Sequence, residues 1–241
     1  MTIMAVPEVL WNFGLLCLCY FYVVAIIAVT GKINYRLPKS LSRKFLHIMI
    51  GNLVFVIPFF SYKTFPINFP FFVAAPFILL TFLVSPSSPI KSLRNRLSGL
   101  ADVTSGGNGF GLVFYAVSYT ILALLFSTKP YVIAAGILPM AFGDAAASLV
   151  GQKIGRHKYN LSAKKSFEGS IGMFGVCFLS LLLSLMFFSL LYPLSYVNFF
   201  VAALGVAAVA TACEALTPKG LDNLTVPLFS AAVFLLLIGG I

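Results

Sequence analysis

Acidic residues are scarce in this sequence: six Asp and Glu among 241 residues, against sixteen Lys and Arg. Charge of either sign is scarce as well, at 9% of residues, while 60% are apolar and the mean hydropathy is +1.02. A soluble domain carries about 25% charged residues, so this chain cannot cover a water-facing surface. Alternating strands of roughly ten residues, the signature of a transmembrane barrel, are also lacking; the apolar runs are continuous. No disulfide framework or metal spacing joins Cys17, Cys19, Cys177 and Cys213, which all lie in apolar runs and read as packing residues. Residues 1–8 contain no Lys or Arg, so the first apolar run lacks the basic leader of a cleaved signal. Internal repeats and low-complexity tracts are not evident.

What is present is a series of eight apolar runs, at 9–29, 45–60, 67–84, 110–126, 131–150, 169–192, 196–216 and 225–241. The expected fold is an all-α integral membrane protein of about eight transmembrane helices, forming one transmembrane domain over 1–241. The remaining segments are too short for a separate soluble catalytic domain, so any site is built from span ends and short loops.

The excess of cations follows topology rather than nucleic acid. Fourteen of the sixteen Lys and Arg fall in alternate loops: Lys32, Arg36, Lys39, Arg43 and Lys44; Lys91, Arg94 and Arg96; Lys153, Arg156, Lys158, Lys164 and Lys165; and Lys219. The intervening loops hold only Lys63 and Lys129. The positive-inside rule makes the four basic loops cytoplasmic and both termini external.

Five of the six acids, Asp102, Asp144, Glu168, Glu214 and Asp222, fall at that same cytoplasmic face; only Glu8 lies outside. Asp144 and Glu214 sit within spans, and an intramembrane carboxylate marks a functional site by default. Asp144 follows Gly143 and a proline, Pro139, able to kink the span. A carboxylate just below the loop suits Mg²⁺, which takes one or two carboxylates and completes its shell with phosphate oxygens and water. The loop that follows holds Gly151, Gly155, Arg156 and Lys158, then Lys164, Lys165, Ser166, Glu168 and Gly169. Glycines and cations in a short loop suit a polyphosphate, with backbone N–H groups as an anion cradle. Glu168 beside Lys165 at a span entrance suits a metal–phosphate pair. The loop is not a Walker A motif, because the glycines that motif requires are absent. Asp222-Asn223 reads either as site residues or as turn and N-cap residues for the last span. Arg43 and His47 are i,i+4 neighbours at the mouth of the second span. The run Gly106-Gly107-Asn108-Gly109-Phe110-Gly111 follows no expected strand and reads as a flexible re-entry loop rather than a dinucleotide fingerprint.

Taken together, Arg43-Lys44-Phe45-Leu46-His47, the run GDAAASLVGQKIGRHK at 143–158, KKSFEGS at 164–170 and GLDNLTVP at 220–227 resemble the CTP-dependent polyprenol kinases, the family that includes phytol kinase and dolichol kinase. The resemblance runs from Arg43 to the C-terminus, with 48–100 similar only in hydropathy. It implies phosphoryl transfer from a nucleoside triphosphate, CTP, to a long-chain isoprenoid alcohol such as phytol, geranylgeraniol or dolichol, at the cytoplasmic membrane face. It also implies that 143–148, bounded by Gly143 and Ser148, and 165–168 lie in the nucleotide–metal site. On the residues and the resemblance together, Asp144 holds Mg²⁺ and Glu168 is a second ligand or an orienter of Lys165. Lys165, Arg156 and Lys158 hold phosphates, with Arg43, Lys164, Ser166, Gly151, Gly155 and Gly169 around them. Asp222 or His47 accepts the alcohol's proton. Small residues on the fifth and sixth spans, Gly143, Ala146, Gly172 and Gly175, are expected to leave a groove for the alcohol beside Asp144. Two rivals are a membrane CTP:phospholipid cytidylyltransferase and an ion-coupled transporter. The first lacks its Pro-Gly-His run here. The second sits poorly with two unlike halves and acids at one face.

Overall fold

The computed structural model describes residues 6–34, 39–97, 109–194 and 199–238. Arg36, Asp102, Gly106, Gly107, Asn108 and the expected start of the seventh span at 196–198 lie outside the described residues.

Each of the eight expected runs contains helix. The first is α1, Val6–Asn34. The second begins earlier than expected, as α2, Lys39–Gly51, and tightens into 3₁₀ turns at Asn52–Phe55 and Ile57–Phe59, where Pro58 cannot continue an α-helical ladder. A short hairpin of β1, Lys63–Thr64, and β2, Ile67–Asn68, leads to α3, Phe69–Val84, whose N-terminus is capped by the Asn68 side chain accepting from Phe71 N–H at 3.0 Å. A short surface helix follows, α4, Lys91–Arg96, and then α5, Gly111–Phe126.

The centre of the bundle is α6, Pro130–Leu138. It is apolar on every side and is buried on every side, as such a pattern requires. Its small residues let neighbours approach closely: a Cβ at Gly136 would stand 2.7 Å from the Pro227 carbonyl oxygen. At Pro139 the helix widens into a π-helical turn, Pro139–Gly143, and resumes as α7, Asp144–Lys153. Proline removes one backbone donor and the wider turn absorbs the loss. The expected kink therefore takes the form of a π turn, and Asp144 is its first residue on the far side.

The segment after α7 is ordered as an antiparallel hairpin rather than an open loop, with β3, Lys158–Asn160, paired to β4, Lys164–Ser166. The remaining helices are α8, Phe167–Ser189, α9, Phe199–Leu216, and α10, Asp222–Leu237. Five segments, Pro7–Ile33, Leu41–Phe59, Pro130–Lys153, Phe167–Ser189 and Phe199–Leu216, are long and apolar enough to cross a membrane, and α3, α5 and α10 are shorter apolar helices of 16 residues each.

The two ends of the bundle differ in chemistry. At one end the Tyr62 hydroxyl donates to Glu8 at 3.0 Å, Asn12 accepts from Ser61 N–H at 2.9 Å, and Asn68 donates to Ser127 at 2.6 Å. These bonds gather the segments that carry Lys63 and Lys129. At the other end the starts of α2, α8 and α10, the end of α9 and the β3–β4 hairpin converge, and with them most of the charge.

Candidate active site

The convergence leaves an open cavity of about 320 Å³. Six cations, Arg43, Lys44, Lys158, Lys164, Lys165 and Lys219, and three carboxylates, Asp144, Glu214 and Asp222, line it. These are contributed by four separate stretches of sequence, so the site exists only in the folded bundle.

Two lysine–carboxylate pairs organise its walls. Lys44 on α2 donates to Asp144 Oδ2 on α7; their side chains are 8% and 16% exposed. Lys165 on β4 reaches across to α9, where its Nζ lies 2.8 Å from Glu214 Oε1 and also donates to the Glu214 carbonyl. Pairing of this kind is what an intramembrane carboxylate requires, since an unpaired charge there is expensive. Asp222 opens α10, and its Oδ1 accepts from Gly220 N–H at 2.9 Å and Asn223 N–H at 3.0 Å, with Gly220 at φ +99° to make the turn. Asp222 thus closes the turn and also lines the cavity. Asp144, Lys44 and Lys165 all act on it electrostatically. Asn223 staples α10 to α5, donating to the Gly111 carbonyl at 2.9 Å, and Gly111 is small because a Cβ there would meet the Asn223 amide at 2.8 Å.

The hairpin supplies the other cations. Tyr159 binds it to α8, its hydroxyl 2.7 Å from Ser170 Oγ and its ring 5.0 Å from that of Phe167. Ser166 caps α8, accepting from Gly169 N–H at 3.2 Å. Lys158 Nζ donates to the Gly151 carbonyl at 3.1 Å, and Gln152 donates to Ser148 at 3.0 Å. Lys158, Lys164, Ser148, Ser166, Gly151 and Gly169 all line the cavity, as Arg43 does.

Several sequence expectations change. Glu168 does not line the cavity and does not meet Lys165: it turns outward to His157, with Oε1 2.7 Å from Nδ1 and 3.1 Å from the His157 N–H. Residue 168 lies in the first turn of α8, so its side chain follows that helix's outer face. The partner expected for Lys165 is instead Glu214, and Asp144 shares the cavity with Asp222 rather than with Glu168. The glycine cradle of free N–H groups is not formed. Gly151 is inside α7, and Gly169 has given its N–H to Ser166. The two glycines instead allow α7 and α8 to cross closely, since a Cβ at Gly169 would sit 2.8 Å from the Ala147 carbonyl and 3.4 Å from Gly151 Cα. Gly155 and Arg156 fall outside the cavity lining, Arg156 being exposed at the hairpin's approach. Gly143 is buried against Met173 and Cys177 and serves packing. His47 is not in the lining either: it is 1% exposed, and its ring stacks on Tyr115 with centroids 4.7 Å apart. Neither ring nitrogen has a hydrogen-bond partner among the described residues. The groove expected between the fifth and sixth spans is filled at Gly143 by Met173 and Cys177 and at Gly172, where a Cβ would stand 2.8 Å from Val150 Cγ2, while Gly175 faces open space.

Lys44 has no role expected from the sequence, Glu214 is marked there only as an intramembrane acid, and Lys219 only as a loop cation. A signal for the first two existed in the sequence: an acid inside a span needs a cation, and Lys44 and Lys165 stand at span mouths.

The cation-rich cavity suits a polyphosphate, and the carboxylates beside it suit a hard divalent ion. No family model matches the chain, and no solved structure is similar to it at a significant level. Curated relatives do match. A phytol kinase of Synechocystis sp. is 34% identical over 215 residues, covering 86% of this chain and 84% of the relative. A probable chloroplastic phytol kinase of Zea mays is 29% identical, over 97% of this chain and 79% of its own length. A chloroplastic farnesol kinase of Arabidopsis thaliana is 28% identical, over 91% and 75%. With matches of that extent, and with the quoted motifs meeting around one cavity, the chain belongs to the polyprenol/phytol kinase family.

Proposed function

We propose that this isoprenoid-alcohol kinase transfers the γ-phosphoryl group of CTP to the hydroxyl of a long-chain isoprenoid alcohol, in the cavity formed by α2, α7, the β3–β4 hairpin and the α9–α10 junction. The observation that carries the reading is the charge of that cavity, six cations against three carboxylates, at one end of an apolar bundle. The alcohol as acceptor is supported by the phytol and farnesol kinases among the relatives. CTP as donor is supported by the resemblance of the motifs at 43–47, 143–158, 164–170 and 220–227.

Phosphoryl transfer asks a protein mainly for position and charge stabilisation. Lys165, Lys164, Lys158, Lys219 and Arg43 hold the phosphates. Lys44 and Lys165 are kept extended into the cavity by Asp144 and Glu214, so little reorganisation is needed when the nucleotide binds. The donor set fits Mg²⁺: Asp144 offers hard oxygens, Asp222 stands in the same cavity, and the open space admits phosphate oxygens and water. When bound, Mg²⁺ supplies stabilisation of the charge that builds on the phosphoryl oxygens. The alcohol oxygen forms a bond to the γ-phosphorus, the bridging oxygen between the β- and γ-phosphates leaves with CDP, and the hydroxyl proton passes to Asp222. That carboxylate has one oxygen, Oδ1, occupied by backbone N–H groups and its second without a protein partner among the described residues.

The membrane arrangement belongs to the same reading. Eight helices cross, the three 16-residue helices included, both termini are external, and the site faces the cytoplasm. The charge asymmetry of the loops and the gathering of Lys63 and Lys129 at the end away from the cavity support it.

The test is label transfer in membranes. γ-Labelled CTP should label an added isoprenoid alcohol, and α-labelled CTP should not. Label from the α-phosphate identifies a cytidylyltransferase, and label from neither removes the kinase reading.

A further inference from the structure

The charged cavity changes character along α7. Asp144, Ala147, Ser148, Gly151 and Gln152 stand at i, i+3, i+4, i+7 and i+8 and all line it, so one face of this helix forms a wall of the cavity. At the inner end the Asp144 side chain is 16% exposed and paired with Lys44. Eight residues on, about 12 Å along the axis at 1.5 Å per residue, Gln152 is exposed. The wall therefore runs from an enclosed carboxylate to an open amide.

Five neutral polar side chains line the cavity: Ser148, Gln152, Ser166, Ser170 and Asn223. Three of them are committed to the fold. Ser166 accepts from Gly169 N–H at 3.2 Å, Ser170 shares a hydrogen bond with Tyr159 at 2.7 Å, and Asn223 donates to the Gly111 carbonyl at 2.9 Å. The other two bond to each other, with Gln152 Nε2 donating to Ser148 Oγ at 3.0 Å. A carboxamide has two donors on nitrogen and an acceptor on oxygen. Gln152 thus keeps one N–H and its carbonyl oxygen without a protein partner among the described residues, and the bond to Ser148 fixes which end of the amide is which. One donor and one acceptor, held in a set order, complement a base that presents an amino group beside a ring-nitrogen acceptor. Cytosine does so with N4 and N3, and adenine with N6 and N1. Uracil and guanine present the reverse, a carbonyl oxygen beside a ring N–H.

We propose that Gln152 reads the base of the phosphoryl donor. Its carbonyl oxygen accepts from the cytosine N4 amino group and its free N–H donates to N3, while the triphosphate runs along α7 toward Asp144 and Lys165. The proposal rests on the kinase reading above for its ligand and deepens it, because the cations of the cavity account for the phosphates and carry no information about the base. The distance from Asp144 to Gln152 is one that a nucleoside triphosphate bridges between its γ-phosphate and its base. The edge separates CTP and ATP from UTP and GTP; it does not by itself separate CTP from ATP.

The experiment measures kcat/KM for γ-labelled CTP, ATP, UTP and GTP, with phytol or farnesol as acceptor, in membranes containing wild type, Gln152→Glu, Gln152→Ala or Lys153→Glu. Wild type should favour CTP and ATP. A glutamate side chain has acceptors only, so Gln152→Glu loses the bond to cytosine N3 and gains one from the N3–H of uracil or the N1–H of guanine. The ratio of kcat/KM for UTP to that for CTP should rise by ~10-fold or more, the scale of one bidentate contact between an amide and a base. Gln152→Ala removes both groups without adding charge and should bring the four nucleotides closer together. Lys153→Glu makes a larger charge change one residue on, outside the cavity lining, and should leave the ratio as in wild type. A ratio is insensitive to how much of each variant reaches the membrane. An unchanged ratio in both Gln152 variants, a uniform fall across all four nucleotides, or the same shift in Lys153→Glu overturns the assignment and leaves the kinase intact. Wild type that favours UTP or GTP over CTP overturns it as well. Failure of wild type to phosphorylate either alcohol with any nucleotide removes the kinase reading and the inference together.

Discussion

Lys44 and Asp144, a hundred residues apart in sequence, form one ion pair across the interface of α2 with the helix that restarts after the π turn. The pair ties the second span to the central one at the point where the bundle opens to the charged cavity. With the metal-holding role proposed for Asp144 added to this pairing, a single substitution there disturbs both together.

Asp144→Asn should therefore abolish activity and also lower stability. Without the carboxylate, Lys44 is left as a buried, uncompensated charge, a defect that costs about 3–5 kcal/mol in typical interiors. The double variant Lys44→Met/Asp144→Asn should recover thermal stability in detergent without recovering phosphoryl transfer. If the double variant regains both, the pair is structural only and Asp144 is not at the reaction centre.

Lys165→Met should raise the KM for CTP and lower kcat/KM by ~100-fold, the scale for removing one charged group from a transition state. Glu214 then loses its cation, so Lys165→Arg is the companion: it keeps the charge and should retain more activity than Lys165→Met. Lys129→Met, at the other end of the bundle, should leave the KM for CTP unchanged. Equal effects of Lys165→Met and Lys129→Met would make the cavity's cations ordinary loop charges.

Glu168 and Asp222 separate two accounts of the metal and base. Glu168 faces His157 and lies outside the cavity lining, so Glu168→Gln should keep the Mg²⁺ concentration for half-maximal activity and lose only a few-fold in rate. Asp222→Asn should lose activity by about 10²–10³-fold, as expected when a proton acceptor is removed. His47→Phe preserves the stack on Tyr115 and removes two nitrogens that bond to nothing described, so its CTP affinity should match wild type. A collapse of Mg²⁺ dependence in Glu168→Gln, with Asp222→Asn near normal, would reverse these assignments.

The fold class was legible because apolar run length and loop charge are local properties: each expected run contains helix. The acids were legible one at a time for the same reason, and Asp144, Asp222 and Lys165 do line one cavity. Their partners were not legible. Lys165 has Glu168 as a sequence neighbour, yet the strand-to-helix transition at Ser166–Phe167 sends the two side chains to different surroundings. Lys165 finds Glu214, forty-nine residues on. The glycines misled in a related way. Read as a loop, Gly151 and Gly169 offer free N–H groups; folded as helices, they offer closeness of approach. Gly143 and Gly172 on the fifth and sixth spans equally mean contact rather than a groove. Which of these a glycine serves depends on what stands opposite it, and that is set by tertiary packing.

The direction of the site follows from the two ends of the bundle and has its own test. In a variant lacking Cys17, Cys19, Cys177 and Cys213, single cysteines are placed at Lys153 and Lys219 beside the charged cavity and at Lys129 on the opposite end. All three positions carry exposed or half-exposed side chains, so a membrane-impermeant maleimide can reach them. Lys153→Cys and Lys219→Cys should react only when the reagent meets the cytoplasmic face, and Lys129→Cys only from the other. The charge asymmetry is the physical reason: cations in short loops are retained on the cytoplasmic side during insertion, whereas acids contribute little to orientation. CTP bound in the cavity should further slow the labelling of Lys219→Cys, which lines it, and leave Lys153→Cys unaffected. Labelling of Lys219→Cys from the external face would put the cavity on the wrong side of the membrane for a cytoplasmic nucleotide and would end the site assignment, whatever the activity of the other variants.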